Sequence, residues 1–588
     1  MQQSLAKRGP DAGGHYVDKH VGLVHRRLVV VDPENGAQPM QRRVNDVTYV
    51  IVYNGELYNT DELRAELGEL GYEFSGSGDT EVLLCAFIQW REKCVDMLNG
   101  IFAFAVWIVE EGRLFCARDK FGVKPFFYKR TRHGIVFSSE IKGLFKNPLC
   151  PAVIDKAGIN RLFLLSPARL SGDGVYKGVR ELRGGEYLWA SRLGVRVKRY
   201  YRVRARAHTE DLEQSKTHLR ELVTDAIKRQ LVSDVPLGCF LSGGLDSSII
   251  TQIASEKYKA EGAVLSTFSV DYVDNDKNFV QNAMQPDTDD KYIDIMSDFA
   301  GTNHKKVVLE NETVVEALYN AAVARDLPGM ADVDSSLIPF CTEIKKTHTV
   351  CLSGECADEL FAGYPWYFDA NAMEDGLFPW ARSVDMRVGL LNKRYLCKNP
   401  RKFVEAQVAN TIKRAEVLPT DTAHDRKMRG LFMLNLDWFM QTLLERKDRM
   451  SMYCGLEVRV PFCDARLVEY AYNLPFEIKT LGGREKGLLR EAFRGILPDS
   501  IVERKKNPYP KTFDPRFLTE VKRRATEVMD KGGVVSQIID REYFDKLIAS
   551  EASQAGVTWY GQLMRLPQVL AWIVQMDVAF TELGVKIG

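Results

Sequence analysis

Residues 236–250 read Pro-Leu-Gly-Cys-Phe-Leu-Ser-Gly-Gly-Leu-Asp-Ser-Ser-Ile-Ile. An apolar segment breaks at Ser242, Gly243 and Gly244, and a helical apolar pattern resumes after Ser248. Strand, glycine turn and helix in that order aim backbone N–H groups and a helix N-terminus at an anion. The glycines let phosphate oxygens approach the backbone, and Ser242, Ser247 and Ser248 add hydroxyl donors. No lysine follows the glycines, so the loop lacks the G-K-[ST] ending of a Walker-type site. Asp246 instead puts a carboxylate where a phosphate should sit, which calls for a cation between the two anions, most simply Mg²⁺. The same letters also suit a serine-capped helix behind a glycine turn. Asp358 follows a second glycine loop at a strand end, and we pair it with Asp246 as a metal ligand; its competing reading is a helix-capping carboxylate.

The elements that must position these residues fall into two blocks. Up to about residue 200 the pattern is strand-rich. Val21–Val31 and Thr48–Tyr53 are apolar runs, the second leading into a turn dipeptide at Asn54-Gly55. Ile101–Val109 and Arg113–Ala117 read as a hairpin. Asp61–Leu70 and Thr80–Glu92 have helical periodicity. An antiparallel sandwich with a few helices fits. The linker falls in Arg202–Thr209. Beyond Asp211, helices alternate with short apolar strands: Leu212–Leu231 is amphipathic, and Gly238–Leu241, Ala263–Val270 and Thr349–Leu352 are strands. That alternation predicts a parallel sheet covered on both faces, with ligands at its carboxyl edge. The chain from about Asn371 onward reads as mostly helical, and Phe279–Asp290 as an exposed loop.

The 588 residues carry 80 basic and 79 acidic side chains, net +1. Nothing there points to nucleic acid or an anionic membrane as partner. No apolar run reaches the roughly 18 residues of a membrane span. The eleven cysteines are scattered, without C-x-x-C pairs, which fits a reducing, cytoplasmic location and indicates neither a zinc site nor a disulfide framework.

Ser242–Ser248 resembles the pyrophosphate loop of enzymes that adenylate a substrate with ATP. Ser353–Tyr364 and Gly455–Asp464 resemble further signatures of the glutamine-dependent asparagine synthetase family. Arg8–Asp11, Tyr53–Asn59 and Ala117–Pro125 resemble its class II glutamine amidotransferase domain. The motifs keep the family's order from the first residues to about position 510. The resemblance implies an N-terminal Ntn-type αββα antiparallel sandwich over residues 1–205. It implies a parallel-sheet adenine-nucleotide α-hydrolase-like domain with a helical extension over 210–588. The implied reaction is ATP-dependent amidation of L-aspartate through β-aspartyl-AMP, with ammonia delivered from L-glutamine and with a possible homodimer as the assembly.

By the same resemblance, Val270, Ser353 and Gly354 hold adenine and ribose, and Glu355 is the base for ammonia attack. Lys506 contacts the phosphates and the intermediate. Arg446, Asp448 and Arg459 fall in the segment of the amino-acid pocket. Cys356 departs from the family's usual glycine, so its side chain either narrows the ammonia approach or points away. In the glutaminase half, Arg27 matches the residue for the glutamine α-carboxylate. Asn54 and Gly55 match the oxyanion hole, with Asn54 also contacting glutamine, and Glu56 and Asp79 match the α-ammonium ligands. The family's nucleophile is an N-terminal cysteine whose α-amine is the base. Here the residues read Met1-Gln2-Gln3-Ser4, without that cysteine or the family's first strand. As read, this stretch should not hydrolyse glutamine: it is a shortened form of an intact enzyme, a true ammonia-only synthetase, or a degenerate chain with an exposed sheet edge. Diaminopimelate in cell-wall precursors is an alternative acceptor, suggested by Asn507–Thr512 and the Asp271–Asp290 insertion. β-Lactam closure fits less well with the retained glutamine pocket. An inactive scaffold is the alternative of another class, against which Asp246, Glu355, Asp358 and Lys506 all stand.

Overall fold

A computed structural model describes residues 1–278, 288–510, 512, 514–549 and 558–588. Most of the 279–290 stretch anticipated as a loop, residues 279–287, lies outside the described residues.

The N-terminal half is built on a six-stranded antiparallel sheet. Its order is Gly194–Arg199, Glu186–Ser191, Arg113–Arg118, Gly100–Ile108, Val47–Leu57 and Met40–Val44. Helices Thr60–Glu69 and Asp79–Trp90 cover one face, burying Leu63, Leu67, Val82 and Phe87 against Tyr53, Phe104 and Phe115. Leu23, Phe126 and Tyr128, from the hairpins outside the sheet, bury the other face. The hairpin and both helices stand where the apolar periodicity puts them. The expected turn at Asn54-Gly55 does not. The strand runs straight through, with Asn54 opposite Ala103 and Gly55 opposite Phe102. Glycine serves close packing there: a Cβ on Gly55 would lie 2.1 Å from the Ile101 carbonyl oxygen.

The C-terminal half holds a five-stranded parallel sheet. Its order is Asn303–Leu309, Ser266–Tyr272, Leu237–Phe240, Val350–Leu352 and Glu457–Arg459. Val350 and Leu352 enter one core while Cys351 enters the other, so the sheet is buried on both faces, which is why its strands read as continuous apolar runs. Strand order reverses between Leu237–Phe240 and Val350–Leu352, and loops leaving such a switch point form a crevice. Those loops are Ser242–Gly244 and Ser353–Cys356. The strand Glu457–Arg459 carries two charged residues and was not legible as a strand. Its charges are buried because partners meet them. Among the described residues, no helix is long and apolar enough to cross a membrane.

The two halves are tied by buried ion pairs. Arg8 grips Asp448 with two hydrogen bonds, 2.7 and 2.8 Å. Lys124 lies 3.6 Å from Asp448 and 3.5 Å from Glu457. Arg459 reaches Glu56 at 3.4 Å. The chain also returns at Lys586–Ile587 to pair in parallel with Val153–Ile154. Burial pushes the Asp448 carboxyl up, but Arg8 and Lys124 overcome it and hold it at about 2. Its stabilising contribution is therefore complete above the ordinary carboxylate range near pH 4 and lost as pH falls through about 2. Arg8→Met leaves this buried charge short of its main partner, and equilibrium denaturation should show a loss of about 3–5 kcal/mol at neutral pH, shrinking in acid. No loss would show that the pair does not hold the halves together.

Candidate functional site

The crevice at the switch point opens into a cavity of about 270 Å³ lined by Ser242, Gly244, Asp246, Ser247, Val270, Ser353, Gly354, Glu355, Asp358, Arg446 and Lys506, among others. At the glycine turn, Gly243 takes φ +65° with its Cα against Tyr292, where a Cβ would come within 2.6 Å of the tyrosine Cβ. The turn is closed by Ser247, whose Oγ accepts from the Ser242 N–H at 3.2 Å and donates to the Gly244 carbonyl at 3.1 Å. Ser242 Oγ lies 3.1 Å from it. Arg504 donates to the Ser242 carbonyl at 2.8 Å. Ser248 is fully buried behind the turn, its hydroxyl without a partner. Gly243 and Ser248 are thus scaffold to the loop and do not line the cavity.

Asp246 and Asp358 converge on one ammonium. Lys486 Nζ makes a short contact with Asp246 Oδ2 and lies 2.6 Å from Asp358 Oδ1. Lys506 Nζ closes on Asp358 Oδ2 and sits 4.8 Å above the Tyr364 ring. Burial pushes Asp246 up, with Lys486 opposing and Asp358 adding to the rise. Burial also opposes the Asp358 anion, yet Lys486 and Lys506 together hold that carboxyl below the usual range. Asp246 Oδ1 is buried and has no hydrogen-bond partner. Lys486 was missed in the sequence: within Leu481–Gly487 only the paired glycines Gly482 and Gly483 stand out locally, and they mark a turn.

Glu355 is held by two neighbours. Ser353 Oγ donates to Oε2 in a short hydrogen bond, and Lys447 Nζ lies 2.7 Å from Oε1. Burial pushes this carboxyl up, but Lys447, with help from Ser353 and Arg446, outweighs it and holds it below the usual range. Cys356 takes φ +80°, a left-handed conformation that glycine adopts without steric cost. Its thiol is buried against Cys463.

The three residues of the anticipated amino-acid pocket separate. Arg446 lines the cavity, stacked 4.4 Å from the Tyr509 ring and donating to the Val333 carbonyl at 2.9 Å. Asp448 lies one residue beyond the last cavity-facing residue of the helix Met440–Tyr453 and points to Arg8 instead. Arg459 is fully buried, bound to Glu457 at 2.9 Å and to the Gln230 and Val232 carbonyls at 2.8 and 2.6 Å. Both belong to the interface between the halves. The family resemblance had grouped them; the helical turn and the strand direction part them.

A second cavity of about 150 Å³ brings Arg27, Asn54, Gly55, Glu56 and Asp79 together, with Met1, His25, Met452 and Glu457 among its other walls. Asn54 Nδ2 is buried and unpartnered. Asp79 accepts from the Tyr53 hydroxyl at 2.8 Å and from the Leu57 N–H at 3.0 Å. Burial raises both Glu56 and Asp79, and each lies in the other's or in Glu457's field. Burial is the larger cause in both, so each carboxylate would gain from a buried cation beside it. Arg27 is committed to the loop carbonyls of Val31 and Asp32, at 2.8 and 2.7 Å.

Comparison with known proteins gives two family matches: asparagine synthase over residues 218–574 and a glutamine amidotransferase domain over residues 1–201. The chain is 47% identical to asparagine synthetase [glutamine-hydrolyzing] 3 of Bacillus subtilis, covering 100% of this chain and 96% of that protein. It is 31% identical to asparagine synthetase [glutamine-hydrolyzing] 1 of the same organism, over 87% and 83%. To asparagine synthetase B [glutamine-hydrolyzing] of Escherichia coli it is 27% identical, over 87% and 78%.

Replacing Lys486 with methionine leaves two buried carboxylates facing each other with Lys506 alone to serve them. The variant should unfold about 3–5 kcal/mol more easily at neutral pH. The deficit should narrow toward pH 5, because a carboxyl whose folded pKa is raised destabilises only while it is ionised. A deficit independent of pH would show that Lys486 acts through packing and not through charge.

Proposed function

The chain belongs to the asparagine synthase family, whose members amidate a carboxylate at the expense of ATP, and from that premise we propose that it makes asparagine from L-aspartate through β-aspartyl-AMP. The observation that carries the proposal is the cluster of Asp246, Asp358, Lys486 and Lys506 at the mouth of the glycine loop. Direct displacement by ammonia is blocked because a carboxylate oxygen leaves poorly. Attack of the aspartate β-carboxylate on the ATP α-phosphorus expels pyrophosphate and turns that oxygen into part of an AMP leaving group. The Ser242–Ser247 turn binds the departing pyrophosphate, and Lys486 and Lys506 neutralise charge as it forms. Lys506 is free to move from Asp358 to a phosphate because a flexible ammonium exchanges partners readily.

The residues fit Mg²⁺. Asp246 and Asp358 offer hard oxygens at one point, with the Asp246 Oδ1 atom unpartnered, and Mg²⁺ takes one or two carboxylates plus phosphate oxygens. Bound there, the ion would screen the triphosphate from the two aspartates. Among the described residues no larger cluster of metal-binding side chains exists, in keeping with a metal completed by its substrate.

Ammonia then attacks the acyl carbon, AMP leaves, and the proton shed by nitrogen passes to Glu355, an anion at neutral pH beside Lys447. Arg446 would take the α-carboxylate of the substrate. In the N-terminal half, Asn54 Nδ2 and the Gly55 N–H serve as oxyanion donors, and an incoming α-ammonium would supply the charge that Glu56 and Asp79 lack. The sulfur nucleophile is not among these 588 residues: Cys85, the first cysteine, is buried in the helix Asp79–Trp90.

Purified protein should catalyse ATP–pyrophosphate exchange with L-aspartate, and form asparagine when ammonium is supplied. Exchange supported by diaminopimelate in place of aspartate would reassign the acceptor. Exchange with neither would overturn the proposal. Glu355→Gln should retain exchange and lower amide formation by about 10²-fold or more; an equal fall in both would remove Glu355 from the second step.

A further inference from the structure

Lys447 is buried among residues of the synthetase cavity, and nothing in the reaction as described gives its ammonium a substrate to touch. Its Nζ lies 2.7 Å from Glu355 Oε1 and 4.8 Å from the Phe240 ring centroid, and its side chain is 4% exposed. A lysine this deep is costly unless it is paired, and its pair is the carboxylate that receives the proton. Ser353 Oγ occupies the other oxygen, so Glu355 is clamped from both sides. We propose that Lys447, itself seated over the Phe240 ring, is a positioning residue for amide formation: it fixes the Glu355 side chain and keeps it anionic while ammonia attacks. The proposal rests on the amidation reading.

The surroundings of Glu355 leave this task to Lys447. From its own loop come Ser353 and the neutral, buried thiol of Cys356. The helix Leu337–Lys345 contributes the Cys341 thiol, pushed well up by burial. The segment after Lys506 contributes the Tyr509 phenol, also raised by burial. The helix Met440–Tyr453 contributes Arg446, which favours the Glu355 anion from a distance but has its guanidinium engaged with the Val333 carbonyl and Asp334. Lys506 is committed to Asp358. Of the groups around Glu355, Lys447 is the cation in direct contact with it. Its placement follows from the helix, which puts Arg446 and Lys447 on the cavity while Asp448 turns to Arg8 at the interface of the two halves.

The sign of the effect follows. An opposite charge this close lowers a carboxyl pKa by about 1–3 units, so removing Lys447 lets burial raise Glu355. The acid limb of amide formation should then move to higher pH by about that amount. The full chain with Lys447→Met and with Lys447→Arg should be assayed for aspartate-dependent pyrophosphate exchange and for ammonium-dependent asparagine across pH 5–9. In Lys447→Met the ratio of amide formation to exchange should fall about tenfold near pH 7 and recover as pH rises. Lys447→Arg, which retains the charge, should keep the wild-type limb. Parallel loss of both activities, an unmoved acid limb in Lys447→Met, or a shifted limb in Lys447→Arg would each overturn the proposal. A Lys447→Met protein too unstable to assay leaves the decision to Lys447→Arg against Glu355→Gln, where an arginine variant that behaves like the glutamine variant overturns it. Wild-type protein without any exchange would instead overturn the amidation reading beneath it.

Discussion

Two carboxyl groups that face each other inside a protein either share a proton or hold a cation between them. Asp246 and Asp358 do face each other across the switch point of the parallel sheet, and Lys486 stands between them. Everything else in the nucleotide crevice is arranged around that fact. The glycine turn brings a helix N-terminus to the same place, Lys506 waits on the far side of Asp358, and Arg504 fastens the turn from behind through the Ser242 carbonyl. Without substrate the lysines balance the aspartates. Under the proposed function, a triphosphate would draw the same lysines to its oxygens and leave the aspartates in need of a new cation. A site that trades one set of counter-charges for another can bind a tetra-anion without a large change in backbone, because only flexible ammonium groups need to move.

The same economy of charge operates between the halves. The helix Met440–Tyr453 touches both sites: Arg446 and Lys447 line the synthetase cavity, Asp448 binds Arg8, and Met452 lines the smaller cavity. The strand Glu457–Arg459 does likewise. Its backbone receives the Ser353 N–H at 2.9 Å, next to the nucleotide loop, while Arg459 reaches Glu56 in the other pocket. The two cavities are therefore joined by short, densely paired elements, and the spacing between them is set by buried ion pairs in place of a flexible linker.

What the sequence made legible were the features with local physics. The strand–glycine–helix break at Ser242–Gly244 and the apolar runs at Leu237–Phe240 and Val350–Leu352 each carry their own signal. So do Asp79–Trp90 and the Gly100–Arg118 hairpin. Asn54-Gly55 misled because the dipeptide that favours a turn in an exposed loop is here demanded by a neighbouring carbonyl, a cause located about 46 residues away in the chain and so invisible to a reading of local turn chemistry. Lys486 and Lys447 were silent for a related reason. A lysine's letter does not say whether it is solvated, and both owe their importance to carboxylates more than 90 positions away. Asp448 and Arg459 were misplaced in the opposite way. They fall in the segment that the resemblance assigns to the pocket, but one helical step turns Asp448 toward the interface and the strand Glu457–Arg459 carries Arg459 to Glu56.

The central claim is that the carboxylate is activated as an adenylate. It is tested most directly by giving the protein L-aspartate labelled with ¹⁸O in its β-carboxylate, together with ATP and ammonium, and reading the phosphorus-containing products by mass. Bond formation between the carboxylate and the α-phosphorus predicts one ¹⁸O in AMP and none in pyrophosphate. Label in inorganic phosphate with release of ADP, or AMP formed without label, would contradict it.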